Sequence, residues 1–170
     1  AKSVVLLMWE KAKDFLTRAF TVIFMATVII WFMQTFDTRL NVVENSADSI
    51  LAALGRLVSP IFAPLGFGDW RMVTALVSGF TAKEAVVSTF GVILGVSTEQ
   101  LGIALHSLFT TASAASFLAF CLLYTPCVAA VSTIKTELKS GWKTVGIVFA
   151  QCLVAWLAAF MVYHVGLLLT

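Results

Sequence analysis

The apolar run from Ala112 to Ile134 is long enough to cross a bilayer, yet it holds Tyr124, Thr125, Pro126 and Cys127 near its middle. Pro126 has no N–H, and its ring clashes with the preceding turn, so an α-helix through this stretch must kink or unwind. Broken backbone at membrane depth persists only where protein or a water-filled cavity covers it. Carbonyls freed around Leu122 and Leu123, beside the Cys127 sulfur, would line a small gap, and interrupted spans of this kind hold ions and substrates in transporters. The same residues also suit a kinked packing helix with an inert buried thiol, since proline is frequent in membrane helices.

Of 170 residues, 60% are hydrophobic and 12% charged, and the mean hydropathy is +0.98. A soluble domain is nearer about a quarter charged. The chain is therefore read as all-α: a single polytopic membrane helix bundle with broken or re-entrant helices, its main partner the lipid bilayer. A net charge of +2 is too small to suggest nucleic acid. Cys121, Cys127 and Cys152 all sit in apolar runs and form no CxxC pair, which argues against a disulfide framework. Cys121 and Cys152 are read as packing residues. No signal peptide is visible ahead of the first apolar run, and a start at Ala1 instead of Met suggests part of a longer protein.

In chain order, residues 1–18 carry Lys2, Trp9, Lys11, Lys13 and Arg18, the make-up of an interfacial helix or of a positive flank that sets orientation. Residues 19–36 form one span. A polar-to-amphipathic connector follows, with Asn45-Ser46 expected to cap an amphipathic helix over 46–58 that Pro60 and Pro64 end. Residues 70–95 are apolar except for Lys83 and Glu84 near their centre, just after Gly79. An unpaired charge at that depth costs between about 2.5 and more than 10 kcal/mol, so the two should face the protein interior, as a functional or gating site, unless they snorkel from an off-centre loop. Ser97 and Gln100 match a capping box, His106 reads as interfacial, and the small residues at 110–116 allow close helix approach. Residues 133–143 read as a polar connector and 142–168 as the last span.

Lysine and arginine bear on topology. If 70–95 crosses once, residues 2, 11, 13 and 18 oppose 39, 56, 71, 135, 139 and 143, which is four against six. If it dips in and returns, 2, 11, 13, 18, 135, 139 and 143 oppose 39, 56 and 71, which is seven against three and better fits positive charge on the cytoplasmic side. Both topologies remain open, with the re-entrant hairpin preferred.

Two motifs then stand together. Gly79-Phe-Thr-Ala-Lys-Glu-Ala-Val-Val-Ser-Thr-Phe-Gly91 is followed by Leu123-Tyr-Thr-Pro-Cys-Val-Ala-Ala-Val-Ser-Thr-Ile-Lys-Thr-Glu137, and Trp9 to Ile23 leads into the first span. Together they resemble the C-terminal membrane region of the ferrous iron transport protein B family. The resemblance implies a multi-pass bacterial inner-membrane Fe²⁺ importer. It also implies a cytosolic GTP-binding domain and a first gate motif in the same protein, with only the second gate, Pro126-Cys127, in these residues. No GxxxxGK[ST] loop occurs here, so GTP and Mg²⁺ belong to that other domain, and this chain is expected to be no enzyme and to hold no resident cofactor.

Fe²⁺ is borderline in softness and accepts thiolate and carboxylate alike. Cys127 and Glu84 are thus the candidate ligands of the ion pathway, with Lys83 holding the Glu84 carboxylate when no ion is bound. Pro126, Tyr124, Thr125 and Gly79 are candidate gating or structural residues. Weak, incomplete coordination suits an ion that must also leave. A gate-type carrier of nucleosides or other organic solutes is the main alternative, and it should show more hydrogen-bonding side chains than this centre offers. A purely structural bundle, and assembly into a homo-oligomer, also stay open.

Overall fold

The computed structural model describes residues 2–81, 83–124 and 127–169. Among these, every regular element is helical apart from one isolated bridge, Phe36 to Val42, so the all-α expectation holds. Helix α1 is Lys2–Thr35, α2 is Ile50–Phe62, α3 is Trp70–Gly79, α4 is Ala85–Leu94, α5 is Thr98–Leu108, α6 is Thr111–Leu123, α7 is Val128–Leu138 and α8 is Gly141–Leu169. Stretches 111–138 and 141–168 are each long and apolar enough to cross a membrane; two bent pairs, α2 with α3 at 103° and α4 with α5 at 80°, reach that length only together.

Helix α1 passes residue 18 without a break, so its charged first half runs directly into its apolar second half. The turn after it is set by Asp37, whose Oδ1 accepts the amides of Arg39 (2.7 Å) and Asn41 (2.9 Å), an Asx-type turn. Asn45 caps only a short 3₁₀ turn, Ser46–Asp48, and the cap of α2 is Ser49, whose Oγ accepts the Ala52 amide at 3.1 Å. The amphipathic helix thus starts four residues later than predicted and continues through Pro60 to Phe62. Proline lacks a donor for only one intrahelical carbonyl, and near a helix end that loss is small. Pro64 sits in the following 3₁₀ turn, and Gly66, at φ 81°, ends it against the Tyr163 ring.

Two further local expectations are corrected. Ser97 is the N-cap of α5 but makes no side-chain cap bond. The capping box lies instead at Thr110 and Ser113, where Ser113 N–H donates to Thr110 Oγ1 (3.2 Å) and Thr110 N–H to Ser113 Oγ (2.9 Å). Residues 133–138 are not connector but the rest of α7. Thr133 and Thr136 donate their hydroxyls to carbonyls four residues back, which hides their polarity inside the helix, and Lys139 at φ 49° ends it.

Asp69 starts α3 by accepting the Arg71 amide (2.8 Å) while also holding the Arg71 guanidinium (2.9 Å). Asp69→Ala should therefore cost about 1 kcal/mol, the usual worth of a lost N-cap, read as a lower thermal midpoint of the detergent-solubilised protein.

The core is aromatic. Phe67, fully buried, meets Phe62, Phe117 and Phe120, and the cluster extends through Phe90 and Phe109 on one side and Tyr124 on the other. Helices α6 and α8 pack along small residues, as the run at 110–116 predicted, and Ser116 donates to the Ala159 carbonyl at 2.9 Å across this seam.

Candidate functional site

Two interruptions meet. The first separates α3 from α4, which pack on each other; the second separates α6 from α7. They are joined in both directions. The Val128 amide, at the start of α7, donates to the carbonyl of Phe80, the C-cap of α3, at 3.1 Å. In return the Lys83 ammonium donates to the Leu122 carbonyl, in the last turn of α6, at 3.2 Å. Helix ends leave such groups unpaired, and here each break satisfies the other.

Tyr124 is the packing centre of this junction. It is 6% exposed, its amide closes α6 on the Phe120 carbonyl at 2.8 Å, and its ring stacks on Phe120. The Lys83 ammonium lies 5.1 Å from the centre of the same ring. Gly79 lets the tyrosine in: a Cβ there would stand 2.8 Å from the Tyr124 hydroxyl and still closer to a Val86 methyl. That hydroxyl has no hydrogen-bond partner among the described residues.

Glu84 occupies the N-cap position of α4, is exposed, and bonds neither the helix amides nor any cation among the described residues. Lys83 is exposed as well, so the expectation that the two face the protein interior is corrected, and so is the expectation that Lys83 holds the Glu84 carboxylate. Adjacent residues point about 100° apart on a helix, and Lys83 turns to the Leu122 carbonyl instead. Cys127 is half-buried at the N-cap position of α7. No hydrogen bond or ion pair joins it to Glu84, and among the described residues no three of His, Cys, Asp and Glu converge as a metal shell. Thr125 and Pro126 lie outside the described residues.

Two clefts flank Tyr124. One, of about 880 Å³, is bounded by Ile29 and Ile30 of α1, Leu76 of α3, and Cys152 and Trp156 of α8, and its walls are almost wholly apolar. The other, of about 560 Å³, runs along α4, α5 and α6 and includes Lys83, Cys121 and the exposed His106. The link between Lys83 and Leu122 was not anticipated, although a signal for it existed. The helical donor for Leu122 would be residue 126, a proline, so its carbonyl needed a partner from elsewhere.

Residues 16–141, which include both breaks, match the family described as Gate, nucleoside recognition. The chain belongs to the Gate family. Among relatives of this Gate chain, the Fe(2+) transporter FeoB of Methanocaldococcus jannaschii is 33% identical over 168 residues, covering 95% of the chain and 25% of the relative. The Fe(2+) transporter FeoB of Staphylococcus aureus (strain COL) is 39% identical over 160 residues, covering 93% and 24%. A Porphyromonas gingivalis protein, named as a fusion of Fe(2+) transport protein A and Fe(2+) transporter FeoB, is 28% identical over 217 residues, covering 99% and 26%. The Gate chain thus spans about a quarter of the length of these curated relatives, and the FeoB resemblance read from its motifs is borne out. No solved structure matches it.

Proposed function

We propose that this chain is the second gate half of the membrane permease of a ferrous-iron importer. The observation that carries the reading is the mutual closure of the two breaks, through Lys83 to Leu122 and Val128 to Phe80. Glu84 adjoins Lys83 and Cys127 adjoins Val128, so a carboxylate and a thiol border one junction. Fe²⁺ is held there briefly by the Cys127 thiolate, the Glu84 carboxylate and backbone carbonyls, and released because the shell is incomplete. The hairpin of α3 and α4 dips into the bilayer: each ten-residue helix reaches only about 15 Å, half of the hydrocarbon core.

The GTP-binding domain, the first gate and their Mg²⁺-nucleotide belong to the part of the protein that corresponds to the rest of the relatives' length. The whole sits in a bacterial inner membrane. The family's description raises the nucleoside reading again, but the sparse hydrogen-bonding side chains along the larger cleft disfavour a polar organic solute there.

The test is uptake by the complete transporter in proteoliposomes. Cys127→Ser and Glu84→Ala should each depress Fe²⁺ uptake by about tenfold or more, the scale seen when even an outer partner of a metal ligand is removed. Membrane insertion should be unchanged. Normal iron uptake in both variants removes the site, and competition by nucleosides would move the reading to the solute carrier.

A further inference from the structure

Leu122 carries a carbonyl that α6 cannot satisfy, because the residue four further on is a proline without an N–H. The Lys83 ammonium meets it at 3.2 Å and stands 5.1 Å from the centre of the Tyr124 ring. A helix C-terminus presents the negative end of its dipole, and an aromatic face attracts cations. These features favour positive charge of any kind; nothing in them selects lysine. No carboxylate pairs with this ammonium among the described residues, and the adjacent Glu84 is exposed.

The geometry points to a cation site between the Leu122 carbonyl and the Tyr124 ring, occupied in this structure by the tethered ammonium of Lys83, which an arriving divalent cation must displace. The displacement follows from charge. An ion drawn to the Glu84 carboxylate, one residue from Lys83, repels the ammonium, and the site it vacates offers that ion a carbonyl and a ring face. The 560 Å³ cleft that Lys83 already lines gives the displaced side chain somewhere to go. Closure of the α6–α7 break and lysine occupancy are then one event: while Lys83 sits on Leu122, α6 is pinned to the loop before α4, and the ion that takes its place unpins it.

This rests on the ferrous-import reading for the identity of the displacing ion, but the site itself can be tested without iron. In the full-length transporter, Lys83→Ala vacates the site, and ethylammonium should raise the thermal midpoint of that variant but not of the wild type, whose site is filled. Ethanol at the same concentration, a neutral hydroxyl donor, should do neither. Failure of ethylammonium to stabilise Lys83→Ala beyond ethanol overturns the cation site. If Lys83→Ala does not fold alone but folds with ethylammonium, the site is supported. If it folds with neither, Lys83→Gln decides, because it keeps a donor for Leu122 and removes only the charge. Its KM for Fe²⁺ in proteoliposomes should fall severalfold with insertion intact, and an unchanged or raised KM overturns the displacement. Should the ammonium arm succeed while no variant transports Fe²⁺, the cation site stands and the ferrous-import reading fails.

Discussion

Phe67→Ala is expected to cost about 3–5 kcal/mol, the range for deleting a buried aromatic ring. Phe67 lies in the short link before α3, is fully buried, and makes edge-to-face contact with Phe117 at 5.3 Å, a stacked contact with Phe62 at 5.6 Å and a tilted one with Phe120 at 6.0 Å. Its ring therefore holds the end of α2 and the start of α3 against α6. The neighbours that would have to close the cavity are themselves rigid rings, so little relaxation offsets the loss. Reversible unfolding of the purified protein in mixed micelles, followed by tryptophan fluorescence, measures the change. Phe67→Leu, which keeps most of the volume, should lose less than half as much. Equal losses for the two would mean that ring packing is not what holds this link.

Gly79→Ala should cost about 1–3 kcal/mol, the range for overpacking a tight helix contact. The added methyl would stand 2.8 Å from the Tyr124 hydroxyl and closer still to a Val86 methyl, and both neighbours are buried, at 6% and 7% exposure. Both also border the cleft of about 560 Å³, so the strain divides between their turning into it and movement of α3 away from α4 and from the end of α6. That motion also draws the Phe80 carbonyl from the Val128 amide, so transport should fall with stability. Adding Val86→Ala removes the nearest obstacle. The cost of Gly79→Ala in that background should drop by about 1 kcal/mol, as expected for residues in direct contact. Additive effects would show that the methyl is accommodated elsewhere.

Much of this arrangement was legible in the sequence because it follows from covalent constraints. Pro126 removes an amide that an α-helix needs and so signals a kink or break, and Gly79 and the Lys83-Glu84 pair mark the other interruption by their cost in an apolar setting. What local rules could not supply was the partner of each group. Lys83 has a carboxylate as its neighbour in sequence and a carbonyl 39 positions away as its neighbour in space. Only the fold decides between them, although the missing amide at residue 126 hinted at the second. The helix limits failed for related reasons. Ser97 has the right composition for a capping box but makes no side-chain bond, and the polar residues of 133–138 read as a connector because their hydroxyls turn inward onto the helix backbone. The aromatic cluster joins residues from Phe62 to Tyr124 and has no period that a single segment reveals.

Helix α1 has one more bearing on how this chain behaves. Its 34 residues make a rod of about 51 Å, and no proline lies along it. It packs on α2 and on α7, the arm that begins just past the second interruption. A helix with no proline along it has no built-in kink point, so its charged first half and the α7 contact belong to one continuous element.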